Sequence, residues 1–264
     1  MKPIVSFDVD MTLLDHKDWS IPASAMETIE KLRENHTIVL ATGRDMDSIF
    51  STAIRDQIRP DAIIHLNGTK VTVGETIIYE HTFDKNLLKQ ILSYAKQTPY
   101  SVGTSVGEYD YYVNPEVVKE HDRRLWGECS RNFADADMLA KLDVRTMAFI
   151  GDEDGARKME EEFPEIHVHM FADKRGADVV ERKASKAVGL ARLCEYYKIP
   201  LSRTVAFGDS MNDYDIVKAA GIGIAMGNAM EELKRAADYV TDAIDQDGIK
   251  NACLHFGMIR QEEI

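Results

Sequence analysis

Residues 3–12 read Pro3-Ile4-Val5-Ser6-Phe7-Asp8-Val9-Asp10-Met11-Thr12, a short apolar run that closes on two carboxylates one residue apart. Such a run has the length and composition of a strand buried on both faces. Working outward, residues 22–34 predict an amphipathic helix, with Pro22 at its first turn and Ala25, Ile29 and Leu32 along one side. A strand over 37–41, a helix over 45–58 and a strand over 62–66 follow, which makes βαβαβ and so a parallel sheet with helical crossovers. The rhythm returns late in the chain as a helix over 184–197, a strand over 204–207, a helix over 212–219 and a strand over 222–225. A last helix is opened by Asn228, which with Glu231 has the spacing of a capping box.

Between these halves the pattern changes. Residues 71–82 predict a hairpin around Gly74-Glu75, and residues 83–182 mix helices (85–96, 115–126, 153–162) with strands (146–150, 167–171). About a hundred residues suffice for a domain. The fold class expected is therefore α/β: a Rossmann-like parallel-sheet core of residues 1–82 and 183–264, interrupted by an inserted α/β cap of residues 83–182.

The bulk composition narrows the function. With 32 basic and 45 acidic residues the 264-residue chain carries a formal charge of −13, which disfavours nucleic acid and acidic membrane as partners. Three cysteines, Cys129, Cys194 and Cys253, are too few and too scattered for a disulfide framework or a CxxC metal site, so a reducing cytoplasm is expected. No signal-peptide pattern, transmembrane-length apolar run or feature requiring a protein partner is evident.

In doubly wound sheets ligands gather at the carboxyl ends of strands. Asp8 and Asp10 follow the first strand, Thr42-Gly43-Arg44 the second, Asn67-Gly68 the third, and Gly208-Asp209-Ser210-Met211-Asn212-Asp213 the strand over 204–207. Each pair of like charges at ~4 Å costs about 4 kcal/mol at an effective dielectric of ~20, so several carboxylates beside a phosphate call for cations. Hard oxygen donors at an open, phosphate-binding site suit magnesium, with a lysine completing the neutralisation.

Together these residues resemble the haloacid dehalogenase superfamily of phosphatases. Asp8-Val9-Asp10-Met11-Thr12 is similar to its DxDxT motif, Thr42 to the second-motif hydroxyl, Lys186 to the third-motif lysine, and Gly208-Asp209 with Asn212-Asp213 to the acidic fourth motif. The stretch 225–229, followed by 237–241, is similar to the Cof-type branch, whose C2-type cap lies between the second and third motifs. One departure is Met11, where the family commonly has glycine.

The resemblance implies a Mg2+-dependent phosphatase of small phosphorylated metabolites, sugar phosphates first and phosphorylated cofactors such as pyridoxal phosphate next. Asp8 would attack phosphorus to give an aspartyl-phosphate, and Asp10 would protonate the leaving oxygen and then activate water. Thr42 and Lys186 would hold the phosphoryl oxygens, with Gly43, Arg44, Asn67 and Asn212 as further substrate-binding positions. Magnesium would be held by Asp8, the Asp10 carbonyl and Asp209, with Asp213 at the metal or positioning Lys186.

Simpler readings stand beside these. Thr42 also suits a helix cap, Asn67-Gly68 a turn, Arg44 a surface ion pair, and Lys183 rivals Lys186. The run 120–124 suits a solvated helix face, and His167 with His169 lack a third ligand for a metal. A phosphomutase or phosphotransferase would pass the group to a sugar hydroxyl, and a sugar-phosphate-binding regulator would bind without turnover.

Overall fold

The computed structural model describes residues 2–171 and 174–260. Residue 1 and residues 261–264 of the expected core, and residues 172 and 173 of the expected cap, lie outside the described residues. The chain divides into two compact units, Met1–Glu80 with Ala184–Ile264, and His81–Lys183.

The first unit is built on an eight-stranded sheet. Strand Ile4–Phe7 is wholly buried and lies between Thr37–Ala41 and Thr204–Gly208, parallel to both. Beyond Thr37–Ala41 come Ala62–His65, then Lys70–Val73 and Thr76–Glu80 as antiparallel strands; beyond Thr204–Gly208 come Ile222–Ala225 and Tyr239–Val240. The chain thus winds away from Ile4–Phe7 in both directions, which makes its carboxyl end the switch point where such sheets bind ligands. Helix Ala23–Leu32 buries Ala25, Thr28, Ile29 and Leu32 and packs against helix Gly248–His255; helix Lys186–Tyr197 packs against the strands from Ala62 to Glu80.

Three expectations are corrected here. The helix expected from residue 45 begins only at Thr52, because Asp45 and Ser48 accept hydrogen bonds from the backbone of Asp47 and Phe50 and hold turns instead. The expected helix over 212–219 divides into one 3-10 turn, Met211–Asp213, and helix Tyr214–Ala219. The last expected helix starts at Glu231 behind Met230, so Asn228 is not its cap.

The second unit is a six-stranded sheet in the order Ile166–Met170, Gly176–Glu181, Met147–Ile150, Ser101–Val106, Tyr109–Val113, Phe133–Ala134. Neighbours are antiparallel except the last pair. Phe149 packs with Leu88, Ile91 and Met159 of helices Lys85–Ala95 and Glu153–Glu162, whereas Ile150 packs with Val118 of helix Pro115–Trp126. Since successive strand residues face opposite ways, the helices cover both sheet faces. Strands Ser101–Val106, Tyr109–Val113, Phe133–Ala134 and Gly176–Glu181 were not expected from sequence. Among the described residues, no helix is long and apolar enough to cross a membrane.

Candidate active site

The ladder around Ile4–Phe7 sets the site. Phe7 is in register with Phe207, and the Asp8 amide still donates to the Phe207 carbonyl at 3.1 Å, so Asp8 and Asp209 leave adjacent strands one residue out of step. Lys186 reaches them from the first turn of its helix, whose cap Ser185 accepts from the Val188 amide. Gly68 presses on that helix start: with φ of +93°, a Cβ there would lie 1.9 Å from the Ser185 carbonyl oxygen. The Asn67-Gly68 turn therefore fixes where Lys186 begins its reach.

The Lys186 side chain is completely buried, and its Nζ donates to Asp8 Oδ1 at 2.6 Å and to Asp213 Oδ1 at 2.7 Å. Burial works against the ammonium, but the charges of Asp213 and Asp8 outweigh it and raise its pKa above the usual lysine value. Asp213 Oδ2 meanwhile accepts from the amides of Asp209 and Ser210, closing a capping box with Ser210. Both Asp213 oxygens thus have partners, which makes it a holder of Lys186 and of the loop more than an open metal ligand.

Asp8, Asp209 and Asp213 bring carboxylate oxygens within 4.8 Å of one another. Burial, partly offset by Lys186, pushes the Asp8 pKa up from 3.8 to about 7. Asp209 is raised well above its ordinary value by burial and by the charges of Asp8 and Asp213; its side chain accepts a bond from Thr12 Oγ1 at 3.3 Å. Two buried carboxylates and the half-buried Asp209 thus face one ammonium. The deficit of positive charge, the all-oxygen donor set and the accessible Asp209 fit a hard divalent cation. The second acidic grouping, Asp45, Asp47 and His65, is otherwise engaged: His65 Nδ1 accepts from the Met46 amide, and Asp47 pairs with Lys70 and Arg55.

Asp10 has its own partners outside this cluster. Its Oδ2 accepts from Arg44 Nε at 2.7 Å, and its Oδ1 lies 2.6 Å from Arg44 Nη2 and 2.7 Å from His16 Nε2. Burial would raise its pKa, but Arg44 and His16 hold it below the usual carboxylate range. Arg44 is accordingly a partner of Asp10, the ion-pair alternative to a substrate contact. Thr42 is buried, and its hydroxyl accepts from the Arg44 amide at 3.0 Å across the bend that contains Gly43. Asn212 Nδ2 donates to Asn67 Oδ1 at 3.0 Å and its own Oδ1 accepts from Ser210 Oγ, so this pair ties two strand-end loops together.

The sequence from residue 5 to residue 253 matches the haloacid dehalogenase-like hydrolases. The chain belongs to that family. YkrA of Bacillus subtilis (strain 168) is 29% identical over 263 residues, covering 97% of this chain and 98% of the relative. The 5-amino-6-(5-phospho-D-ribitylamino)uracil phosphatase YitU of the same organism is 26% identical over 258 residues, 93% of this chain and 94% of YitU. The solved structure of BT4131, a HAD subclass IIB sugar phosphatase, superposes with a TM-score of 0.86 at 28% identity, over 98% of this chain and 100% of that one. Full-length likeness to phosphatases and the matching fold make this family member a phosphoric monoester hydrolase.

Two features of this haloacid dehalogenase-like hydrolase escape sequence reasoning. His16, on Asp10, sits in a loop with no spacing that marks it. Asn228 donates to the Met11 carbonyl at 2.8 Å and accepts from the Ile244 amide at 2.9 Å, which is why it does not cap a helix. Met11 itself has φ of 60°, the left-handed region where glycine is at ease. Its carbonyl held by Asn228, and its amide donating to Leu14 at 2.9 Å, keep the first-motif loop in shape without glycine.

Proposed function

We propose that the protein is a magnesium-dependent phosphatase of small phosphorylated metabolites, sugar phosphates foremost, acting through an aspartyl-phosphate on Asp8. The observation that carries this reading is the buried Asp8–Lys186–Asp213 chain beside Asp209. A nucleophilic carboxylate needs its anion stabilised without being blocked, and Lys186 bonds one Asp8 oxygen while the other stays available for phosphorus. Asp8, Asp209 and the Asp10 carbonyl would hold magnesium, which when bound offsets the charge of carboxylates and phosphoryl oxygens. The hydroxyl of Thr42 uses a lone pair toward Arg44, which leaves its proton for a phosphoryl oxygen.

Asp8 attacks phosphorus; the P–O bond to the leaving group breaks and Asp10, protonated for this step, supplies its proton. Water then attacks the aspartyl-phosphate with Asp10 as base, releasing inorganic phosphate and restoring Asp8. Held by Arg44 and His16, Asp10 is in the carboxylate form that the second step requires; the first step needs it to take up a proton and leave Arg44. Residues 81–183, inserted between the segments that supply Thr42 and Lys186, are the natural source of substrate selection. YitU and BT4131 act on phosphorylated ribityl and sugar compounds by name, which supports small metabolites as substrates. Three unbonded cysteines are in keeping with a cytoplasmic place of action.

The test is phosphate release from a panel of sugar phosphates and phosphorylated cofactors, with MgCl2 or EDTA, in the native chain and in Asp8→Asn. Release should need both metal and Asp8. Transfer to a sugar hydroxyl without free phosphate would favour a mutase, and binding without turnover a regulator.

A further inference from the structure

We propose that Trp19 and His16 form a leaving-group platform: Trp19 receives the flat face of a ring in the substrate, and His16 ties that platform to Asp10. This rests on the phosphatase reading above. The His16 and Trp19 rings stack with centroids 4.4 Å apart and planes 20° from parallel, while His16 Nε2 lies 2.7 Å from Asp10 Oδ1. The indole is nonetheless 61% exposed. One of its sides is on His16, so the apolar surface it offers is a single face, open beside the group that would protonate the leaving oxygen.

The loop that carries Trp19 is tightly made. Its amide donates to the Asp15 carbonyl at 2.8 Å, the Asp15 amide donates to the Ser20 carbonyl at 2.9 Å, and Asp18 Oδ1 accepts from both the amide and hydroxyl of Ser20. Within it Trp19 has φ of 59°, a conformation that sequences ordinarily give to glycine or asparagine. A bulky aromatic held there, and left largely uncovered, is poorly explained by packing and well explained by a contact with something outside the chain. The contact expected of an indole face is a ring with an apolar side, either the C–H face of a pyranose or a heteroaromatic ring. A phosphate ester whose phosphorus is at Asp8 and whose leaving oxygen is at Asp10 extends its carbon skeleton away from phosphorus on the Asp10 side, where His16 and Trp19 stand.

Trp19 is thus a specificity contact and His16 a positioning residue for Asp10. The experiment compares glucose 6-phosphate and pyridoxal 5′-phosphate, both with rings, against glycerol 3-phosphate, which has none, in the magnesium-loaded protein. Trp19→Ala should lower the kcat/KM preference for a ring substrate over glycerol 3-phosphate about tenfold, mainly through KM, with Trp19→Phe retaining most of it. Loss confined to glucose 6-phosphate identifies a sugar ring, and loss confined to pyridoxal phosphate a heteroaromatic one. A ratio unchanged within about twofold for both overturns the platform. His16→Phe keeps a ring under Trp19 but removes the bond to Asp10, so kcat should fall for all three substrates while the ring preference survives; His16→Gln should recover part of the rate. A His16→Phe protein with native kcat would remove His16 from the proposal.

A binding measurement separates failure of this inference from failure of the phosphatase reading. In Trp126→Phe the emission comes from Trp19 alone, and glucose 6-phosphate or pyridoxal phosphate added with MgCl2 should change it more than glycerol 3-phosphate does. If no phosphate is released from any substrate the phosphatase reading falls; if emission is equally indifferent to all three, the platform falls whether or not turnover occurs.

Discussion

In metal-free protein, Asp8→Asn should become progressively more stable than the native chain as pH rises from 5 to 7.5. Burial raises Asp8 from 3.8 to about 7. A carboxyl whose folded pKa exceeds its unfolded value takes stability away as pH climbs from the unfolded toward the folded pKa, because the unfolded chain can release the proton and the folded one resists. Each unit is worth 1.36 kcal/mol, and the folded carboxyl itself begins to ionise near its own pKa, so between pH 5 and pH 7 the native chain should lose about 2.3 kcal/mol at this residue, and about 2.5 by pH 7.5. Asparagine cannot ionise and escapes that loss. Carboxylates with depressed pKa, such as Asp45 at about 2, have the opposite sign but change stability only in acid, below this window. Lys186, held above its usual pKa, contributes stability that is constant here and lost only in strong alkali.

The assay is urea unfolding in EDTA at pH 5 and 7.5. A slope of ~3 kcal/mol/M converts the expected change into a shift of about 0.8 M in the difference between midpoints. Magnesium should then reverse the order at pH 7.5, since a dication favours the charged form of Asp8 and binds the native chain better than Asp8→Asn. Equal midpoint differences at the two pH values would refute the account of Asp8 as an anion strained by burial.

Lys186→Met should lower kcat about 10²- to 10³-fold, measured by phosphate release, and lower stability by about 3–5 kcal/mol at pH 8, since it strands Asp8 and Asp213 in the interior. Met11→Gly should leave stability within about 1 kcal/mol of native, as relief at φ of 60° offsets the freedom gained by the unfolded chain, and a Tm read from circular dichroism checks it. Asn228→Ala should release the Met11 carbonyl and lower kcat more than it raises KM, provided the helix Glu231–Ala236 keeps its circular dichroism signal.

The core strands were legible because burial on both faces writes itself as continuous apolar runs, and the residues after each run supplied the candidate site. Asp8 and Asp209 come together as strand-end positions would, and Lys186, the lysine that the family resemblance implied, bonds Asp8. Side chains that act on distant backbone were not legible. Asn228 has the local spacing of a cap, yet its amide is used 217 residues away on Met11. The stretch around Ile49 and Phe50 has helical spacing, but Asp45 and Ser48 offer the backbone closer partners and both apolar residues stay exposed. In the second unit, Ser101–Val106 carries serine, threonine and glycine in place of an apolar run, so it gives no strand signal of its own although it forms a hairpin with Tyr109–Val113 across Gly107-Glu108. Asp10 and Arg44 stood out as strand-end residues, but their contact with each other and with His16 was out of reach because nothing in the spacing pairs them before the chain folds.

Asp213 closes the turn that follows strand Thr204–Gly208 with one oxygen and steadies Lys186 with the other. Shape and reactivity at that point have a common author. A substitution that spoils the turn also misplaces the ammonium, and one that spares the turn keeps the carboxylate where the lysine needs it. Drift through partly working intermediates is therefore narrow at this position, and a descendant that abandoned phosphate chemistry while keeping the fold would still be expected to carry an aspartate here, a relic of catalysis preserved by architecture.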